Sequence, residues 1–313
     1  MISIVVCTYN RSALLADLLH TLGEQTLPPA DYEIIVVDNN STDDTHAVVA
    51  GLQKRIRNIR YCLESRQGLS HARNHGWQTA RGTYVAYMDD DCKAPPHWAA
   101  AAQTIAEQVA PAVFGGPHFA FYNTPKPRWF KDSYESHTHG DAARPLTPNE
   151  YLNGMNIVFR KSVLRQIGGF KPELGMSGNK IAYGEETDLV QRIHTTLPDE
   201  CVYYDPDLFV YHLVRADKMT LRWIIRHHIS IGRYAYRVFG ADSPFAAPPG
   251  QLLWQTIRAP LALAGHLVAA FLWRDRKKYS YVQNYLYERA FKRLQALGSL
   301  YEQCRRDRDR GER

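Results

Sequence analysis

The 313-residue chain is poor in several things that would have fixed its class at once. It has five cysteines, Cys7, Cys62, Cys92, Cys201 and Cys304, an odd number with no Cys-x-x-Cys pair. That excludes a disulfide framework and a thiolate zinc site, and it fits a reducing compartment. No apolar run reaches about 18 uninterrupted residues, so no segment reads as a free membrane span. No leader precedes the first strand, which already begins at Ile2, so a chain without a signal peptide is expected. No internal repeat is present. The body also lacks net charge. Residues 274–313 hold 12 Lys/Arg against 6 Asp/Glu, which is the whole +6 of the chain. A nucleic-acid-binding body carries its own positive field, so nucleic acid is not an expected partner. Hydrophobic content of 45% and charged content of 22% exclude a largely disordered, collagen-like or coiled-coil chain.

What is present is an alternation of strand and helix patterns over the first 115 or so residues. ISIVVC (2–7), YEIIVVD (32–38), 58–63 and TYVAYM (83–88) read as strands. Residues 11–25, 42–55 and 70–80 read as helices between them. Such a series predicts a parallel sheet covered by helices, with ligands beyond the carboxyl ends of the strands. The polar clusters 8–11, 38–42 and 89–91 fall at those ends. Further on, 123–148 reads as a long loop, 157–160 as a strand, 185–195 as a helix, and 203–213 carries another strand. Helices are expected over 217–239, 252–273 and 279–304, with a Pro/Gly-rich linker at 242–250 and a frayed tail over the last nine residues. The fold class expected is α/β: a mixed sheet with a Rossmann-like N-terminal nucleotide-binding half (domain 1–215), followed by C-terminal helices (216–313).

The chemistry concentrates at Asp89-Asp90-Asp91, which closes the fourth strand. Three adjacent carboxylates repel one another unless a cation neutralises them, and hard oxygen ligands suit Mg²⁺ or Mn²⁺. The spacing lets one of Asp89 and Asp91 face a metal and the other a ribose hydroxyl. Asp38, at the end of the second strand, can accept from a base N–H or a ribose hydroxyl. In QGLSHARNHG (67–76), Gly68 permits a tight turn, Ser70 can cap the next helix, and Arg73 offers a planar donor to a base or phosphate.

CTYNR, VVDNNSTDDT, QGLSHARNHG and YMDDD, followed by NGMNIVFRKSVLRQIGGF (153–170) and GEETDL (184–189), resemble the family 2 glycosyltransferases, which have a GT-A fold. The resemblance covers residues 2–212. It implies an inverting transfer from a nucleotide-sugar, a UDP-sugar first among donors, to a hydroxyl of a glycan or lipid-linked acceptor. It also implies that Thr8, Tyr9, Asn10, Arg11, Asp38, Asn40, Gly68, Arg73, Asp89 and Asp90 form the nucleotide site. Asp89 would face the ribose and Asp91 the metal, with His212 as a further ligand that favours Mn²⁺ over Mg²⁺. Gly115, Gly116, Gly154, Met155 and Asn156 would line donor sugar and acceptor. In the family the acceptor-side helix begins Glu-Asp and the Asp is the base. Here Glu185-Glu186 stands instead, which leaves the base open between the two, with Glu186 in the Asp position.

The apolar segment 252–273 is broken by Arg258, Pro260 and His266 and followed by Arg274, Arg276, Lys277 and Lys278. It reads as a helix lying in a membrane interface, which places the protein on the inner face of the cell membrane. A nucleotidyltransferase would need a Gly-rich basic signature after the first strand, and CTYNRS lacks it. The other reading is a non-catalytic nucleotide-sugar-binding or membrane-adaptor module, which the Asp-to-Glu exchange leaves open.

Overall fold

A computed structural model describes the chain except residues 149, 179–181, 249, 312 and 313, and gives backbone alone at 307–311. Strands β1 (Ile2–Thr8), β2 (Tyr32–Asp38), β3 (Ile59–Leu63) and β4 (Tyr84–Asp89) alternate with helices α1 (Ser12–Gly23), α2 (Thr45–Gln53) and α3 (Leu69–Thr79). There follow β5 (Cys92–Lys93), α4 (Trp98–Gln108), β6 (Val113–Gly115), β7 (His118–Phe121), β8 (Arg144–Pro145), β9 (Asn156–Arg160), α5 (Lys161–Ile167) and α6 (Glu185–Thr196). The strands end with β10 (Val202–Tyr204) and β11 (Val210–Leu213). The large sheet has the order β3-β2-β1-β4-β9-β6-β10-β8, and a smaller one the order β5-β11-β7.

The first four strands pair in parallel, because each helical crossover returns the chain in the same direction. Their Val and Ile side chains are buried on both faces, under α1 and α2 on one side and α3 on the other. β9 then enters antiparallel to both β4 and β6, so the sheet is mixed rather than purely parallel. The periodicity reading does not anticipate α4 or α5. In α4 (WAAAAQTIAEQ) two of the four buried residues are alanine, which leaves only Trp98 and Ile105 as large apolar markers of its buried face.

The chain divides into two compact units. One holds Met1–Phe121, Glu135–Lys180 and Glu185–Leu213; the other holds Tyr122–Tyr134, Ile181–Gly184 and Val214–Arg313. The second unit is built on α7 (Leu221–Phe239), α8 (Leu252–Leu272), α9 (Val282–Tyr285) and α10 (Lys292–Gly311). α7 and α10 meet backbone to backbone. A Cβ on Gly232 would lie 1.8 Å from the Gln295 carbonyl, and one on Gly298 2.0 Å from that of Ile229. Buried Glu302 accepts from Arg233 and Arg237 across that seam. The single helix expected over 279–304 is instead interrupted by a π-helical turn at Leu286–Ala290. α10 then continues to Gly311, through most of the segment expected to fray.

Candidate active site

The strand-end and α6 residues that form the site all belong to the first unit. β1 and β4 lie side by side, while β2 adds on the far side of β1, so the strand order reverses between β1 and β4. Open α/β sheets bind ligands at such a point. Register places Cys7 opposite Asp89 and Thr8 opposite Asp38, which brings the three polar strand ends level.

Asp38 is buried, accepting from the Ser41 backbone N–H at 2.8 Å and from the Tyr61 hydroxyl at 2.8 Å. Asn10 and Asn40 both take left-handed φ values, 54° and 66°. The Asn10 carboxamide oxygen accepts from Thr42 N–H, so two strand-end loops brace each other. Asn39, which the sequence patterns do not single out, donates to the Glu64 and Arg66 carbonyls and accepts from Gly68 N–H at 2.7 Å. It holds Gly68, at φ 140°, against the residue that follows β2. A polar residue directly after a buried strand was the available signal. Ser70 does not cap α3; it lies inside the helix and donates to the Leu174 carbonyl. Tyr9 is half-buried at the tip of β1.

The three aspartates part company. Asp90 turns inward, accepting from Thr8 Oγ1 at 2.8 Å and Arg11 Nη1 at 2.8 Å. Burial, with Asp91 adding to it, pushes Asp90 up to about 6 against the pull of Arg11. Asp90, Thr8 and Arg11 were expected to meet the nucleotide, and here they spend their polar groups on one another. Two adjacent carboxylates are thereby held by one guanidinium, since Arg11 also lies 3.5 Å from Asp91. Asp89 points the other way and keeps 38% of its side chain exposed. β11 delivers the third member: it pairs antiparallel with β5, His212 opposite Cys92, and Leu213 N–H donates to the Asp91 carbonyl. His212 Nε2 thus lies 3.3 Å from Asp91 Oδ1. Asp89, Asp91 and His212 each turn one ligand atom into a common space, all within 4.8 Å. Two hard carboxylates and an imidazole are a donor set that fits Mn²⁺ or Mg²⁺.

Arg73 has its partners within the chain. It is buried, its guanidinium set against the rings of Tyr87 and Phe170, and the Tyr87 hydroxyl donates to its backbone carbonyl. It donates to Glu185 Oε1 at 2.9 Å and lies 3.8 Å from Glu186 and 3.7 Å from Asp89. It joins the acidic strand end to the acidic helix start. Burial, then the neighbouring Glu186, pushes Glu185 up to about 8, with Arg73 pulling the other way. One positive charge balances one of two carboxylates, and burial resists ionisation of the second. Glu185 is buried, while Glu186 keeps 22% of its side chain exposed.

The glycines serve packing. A Cβ on Gly115 would sit 2.5 Å from the Asn156 carbonyl, and one on Gly116 2.0 Å from that of Leu208. Asn156 is fully buried, its amide taken up by Trp98, Pro117 and Leu208. It ties α4 to the sheet instead of meeting a sugar, which corrects its assignment as a ligand contact. Met155 is half-buried against the core. Gly154 makes room for Arg73, since a Cβ there would lie 2.7 Å from Nη2. Gly154→Ala is therefore expected to displace the guanidinium at a cost of about 1–3 kcal/mol, measured by thermal unfolding. Transfer activity is expected to fall further than stability alone accounts for.

The profile of Glycosyl transferase family 2 matches residues 3–168, more than half of the chain. The succinoglycan biosynthesis protein ExoM of Rhizobium meliloti is 28% identical over 235 residues, 74% of this chain and 73% of that one. The glucosyl-dolichyl phosphate glucuronosyltransferase of Haloferax volcanii is 26% identical over 255 residues, 79% of each chain. Among solved structures, the mannosyltransferase PcManGT of Pyrobaculum calidifontis, in complex with GDP-Man and Mn²⁺, superposes with a TM-score of 0.63 at 19% identity, covering 97% of this chain and 86% of that one. The mixed sheet followed by helices is the GT-A fold expected from the motifs, and the chain belongs to the family 2 glycosyltransferases.

Proposed function

We propose that this glycosyltransferase moves a hexosyl unit, with inversion, from a nucleoside-diphosphate sugar, UDP-sugars first, to a hydroxyl of a glycan or lipid-linked acceptor in cell-surface polysaccharide assembly. Asp89, Asp91 and His212 hold Mn²⁺ or Mg²⁺, and Glu186 is the base. The observation that carries this is the hub at Arg73, which touches both Asp89 and the two glutamates. It puts the leaving-group end and the proton-accepting end of one reaction within one guanidinium of each other. The names of the relatives support a glycan product and a lipid-linked acceptor, and exposed α8 supports a position at a membrane surface.

The steps follow from the residues. Asp38, with the loops of Asn40 and Gly68, orients the nucleoside. The ionised Glu186 carboxylate takes the acceptor hydroxyl proton as the acceptor oxygen bonds to the anomeric carbon. The bond from that carbon to the diphosphate oxygen breaks, and the nucleoside diphosphate leaves with the electron pair. Arg73 fixes Glu185, so that the pair presents one free carboxylate and not two. A divalent cation, when bound, supplies charge stabilisation for the departing diphosphate.

The test is donor turnover by purified protein against UDP-, GDP- and dTDP-sugars, with Mn²⁺, with Mg²⁺ and with chelator. Release of nucleoside diphosphate from one donor class, dependent on the cation, is the expected result. Equal release in chelator would overturn the metal assignment, and no turnover of any donor would overturn the substrate class.

A further inference from the structure

The second unit has charge that the transfer chemistry does not use. Two cavities, of about 490 and 580 Å³, share a wall formed by Glu288, Arg289 and Lys292. The first is completed by Arg293 and by Gln255 and His266 of α8. The second is completed by Lys131, Lys278 and Tyr287. Among the described residues Glu288 is the one acid in either lining, and it is already satisfied: Lys131 Nζ donates to it at 2.6 Å and the Tyr134 hydroxyl at 2.9 Å. That leaves Lys278, Arg289, Lys292 and Arg293 without a carboxylate at ion-pair distance among the described residues. The neighbouring histidines register the field. His266 is held low by burial and then by Arg293 and Arg289; His228 is held low by burial, with Lys292 adding to it. The shared wall is also where the helix is irregular. The π-helical turn Leu286–Ala290 supplies Tyr287, Glu288 and Arg289, and such turns are often found at functional sites.

The position of α8 says what kind of anion would arrive there. Trp254, Ile257, Leu261, Val268 and Phe271 recur at helical spacing and are all exposed, from 48% to 67%. Gln255, Ala259, His266 and Ala270 fall on the opposite side of the same helix, and Ala259 and Ala270 are buried. A helix of this kind sinks its apolar face into the acyl boundary and leaves its other face level with the phosphates. The other face is the one that lines the first cavity.

We propose that the two cavities together bind the phosphomonoester or diphosphate head group of a lipid in the bilayer on which α8 rests. Four uncompensated cations in adjoining enclosures match a head group of two or more negative charges. They exceed what a phosphodiester lipid, with one, would require. The inference rests on the membrane-proximal part of the function proposed above, and it adds a ligand class and a site that are separate from the nucleotide-sugar chemistry.

The experiment is vesicle co-sedimentation of the full chain at matched surface charge. Phosphatidylcholine vesicles are doped with phosphatidylglycerol in one arm and with a polyprenyl diphosphate in the other. The diphosphate vesicles are expected to bind at least about ten-fold more tightly. The double variant Arg289→Gln/Lys292→Gln is expected to lose about ten-fold on diphosphate vesicles, down to the phosphatidylglycerol level, and little on phosphatidylglycerol. Leu261→Glu/Phe271→Glu is expected to lose binding in both arms. Equal affinity in the two arms would overturn the proposal. So would inorganic pyrophosphate in free solution binding as tightly as the vesicles, which would mark a site for a soluble anion. Donor turnover by the same preparations separates the two readings: the double variant should retain it, and its absence in the wild type would sink the catalytic proposal while leaving the vesicle result standing.

Discussion

Glu186→Gln is expected to lower kcat by about two to four orders of magnitude while leaving nucleotide-sugar affinity nearly unchanged. The amide keeps the shape of the side chain and its place 3.8 Å from Arg73, but it cannot take a proton. Glu185→Gln is the informative contrast. Burial and the neighbouring Glu186 hold Glu185 protonated up to about 8, so at neutral pH its amide replaces a neutral acid of the same shape. Activity is expected to stay within a few-fold of wild type. If Glu185→Gln were the dead variant and Glu186→Gln the active one, the assignment of the base would have to be exchanged. The same pair of variants predicts a pH effect. The folded-state pKa of Glu185 stands above its ordinary value of 4.5. Its contribution to stability is therefore full below pH 4.5 and is lost as pH rises through about 8. Thermal unfolding followed across that window should show a decline in the wild type that is flattened in Glu185→Gln.

Asp91→Ala is expected to remove about three orders of magnitude from kcat/KM, because a divalent cation supplies several kcal/mol to a departing diphosphate. The fold should survive the change. Arg11, which faces Asp91 at 3.5 Å, keeps its closer partner Asp90 at 2.8 Å, and the second sheet holds Asp91 through its backbone carbonyl. Calorimetric titration with Mn²⁺ should show loss of binding alongside loss of turnover. His212→Asn is expected to weaken Mn²⁺ more than Mg²⁺, since an imidazole ligand favours the softer ion. An unchanged rate in Asp91→Ala, with metal binding intact, would dissolve the proposed site.

The parts of this picture legible beforehand are those governed by local pattern. Continuous Val/Ile runs marked β1 and β2 to within a residue or two, because a strand buried on both faces has little room for polar side chains. Polar residues at the ends of those runs marked the site, since in such sheets the strand ends face the crevice. The glutamate pair at the start of α6 was legible only through the resemblance to the family, whose acceptor-side helix begins with two acids. Side-chain direction was not legible. Thr8, Arg11 and Asp90 stand among the ligand motifs yet bind one another, and Asn156 is spent in the interior.

Sequence alone therefore determined the alternation of the first four strands with three helices and the neighbourhood of the chemistry, because periodicity and strand-end polarity are properties of short stretches, while its motifs carried the resemblance to the family. Only the tertiary structure decided that Arg73 clamps Glu185, that His212 arrives beside Asp91, and that Asp90 accepts from Thr8 and Arg11. Those choices depend on contacts across up to 121 positions of chain, set by a two-residue strand pairing and by one glycine, Gly154, that leaves space for a guanidinium. A residue type specifies which bonds a side chain is able to make; which of them it makes is fixed by the partners that packing brings within reach.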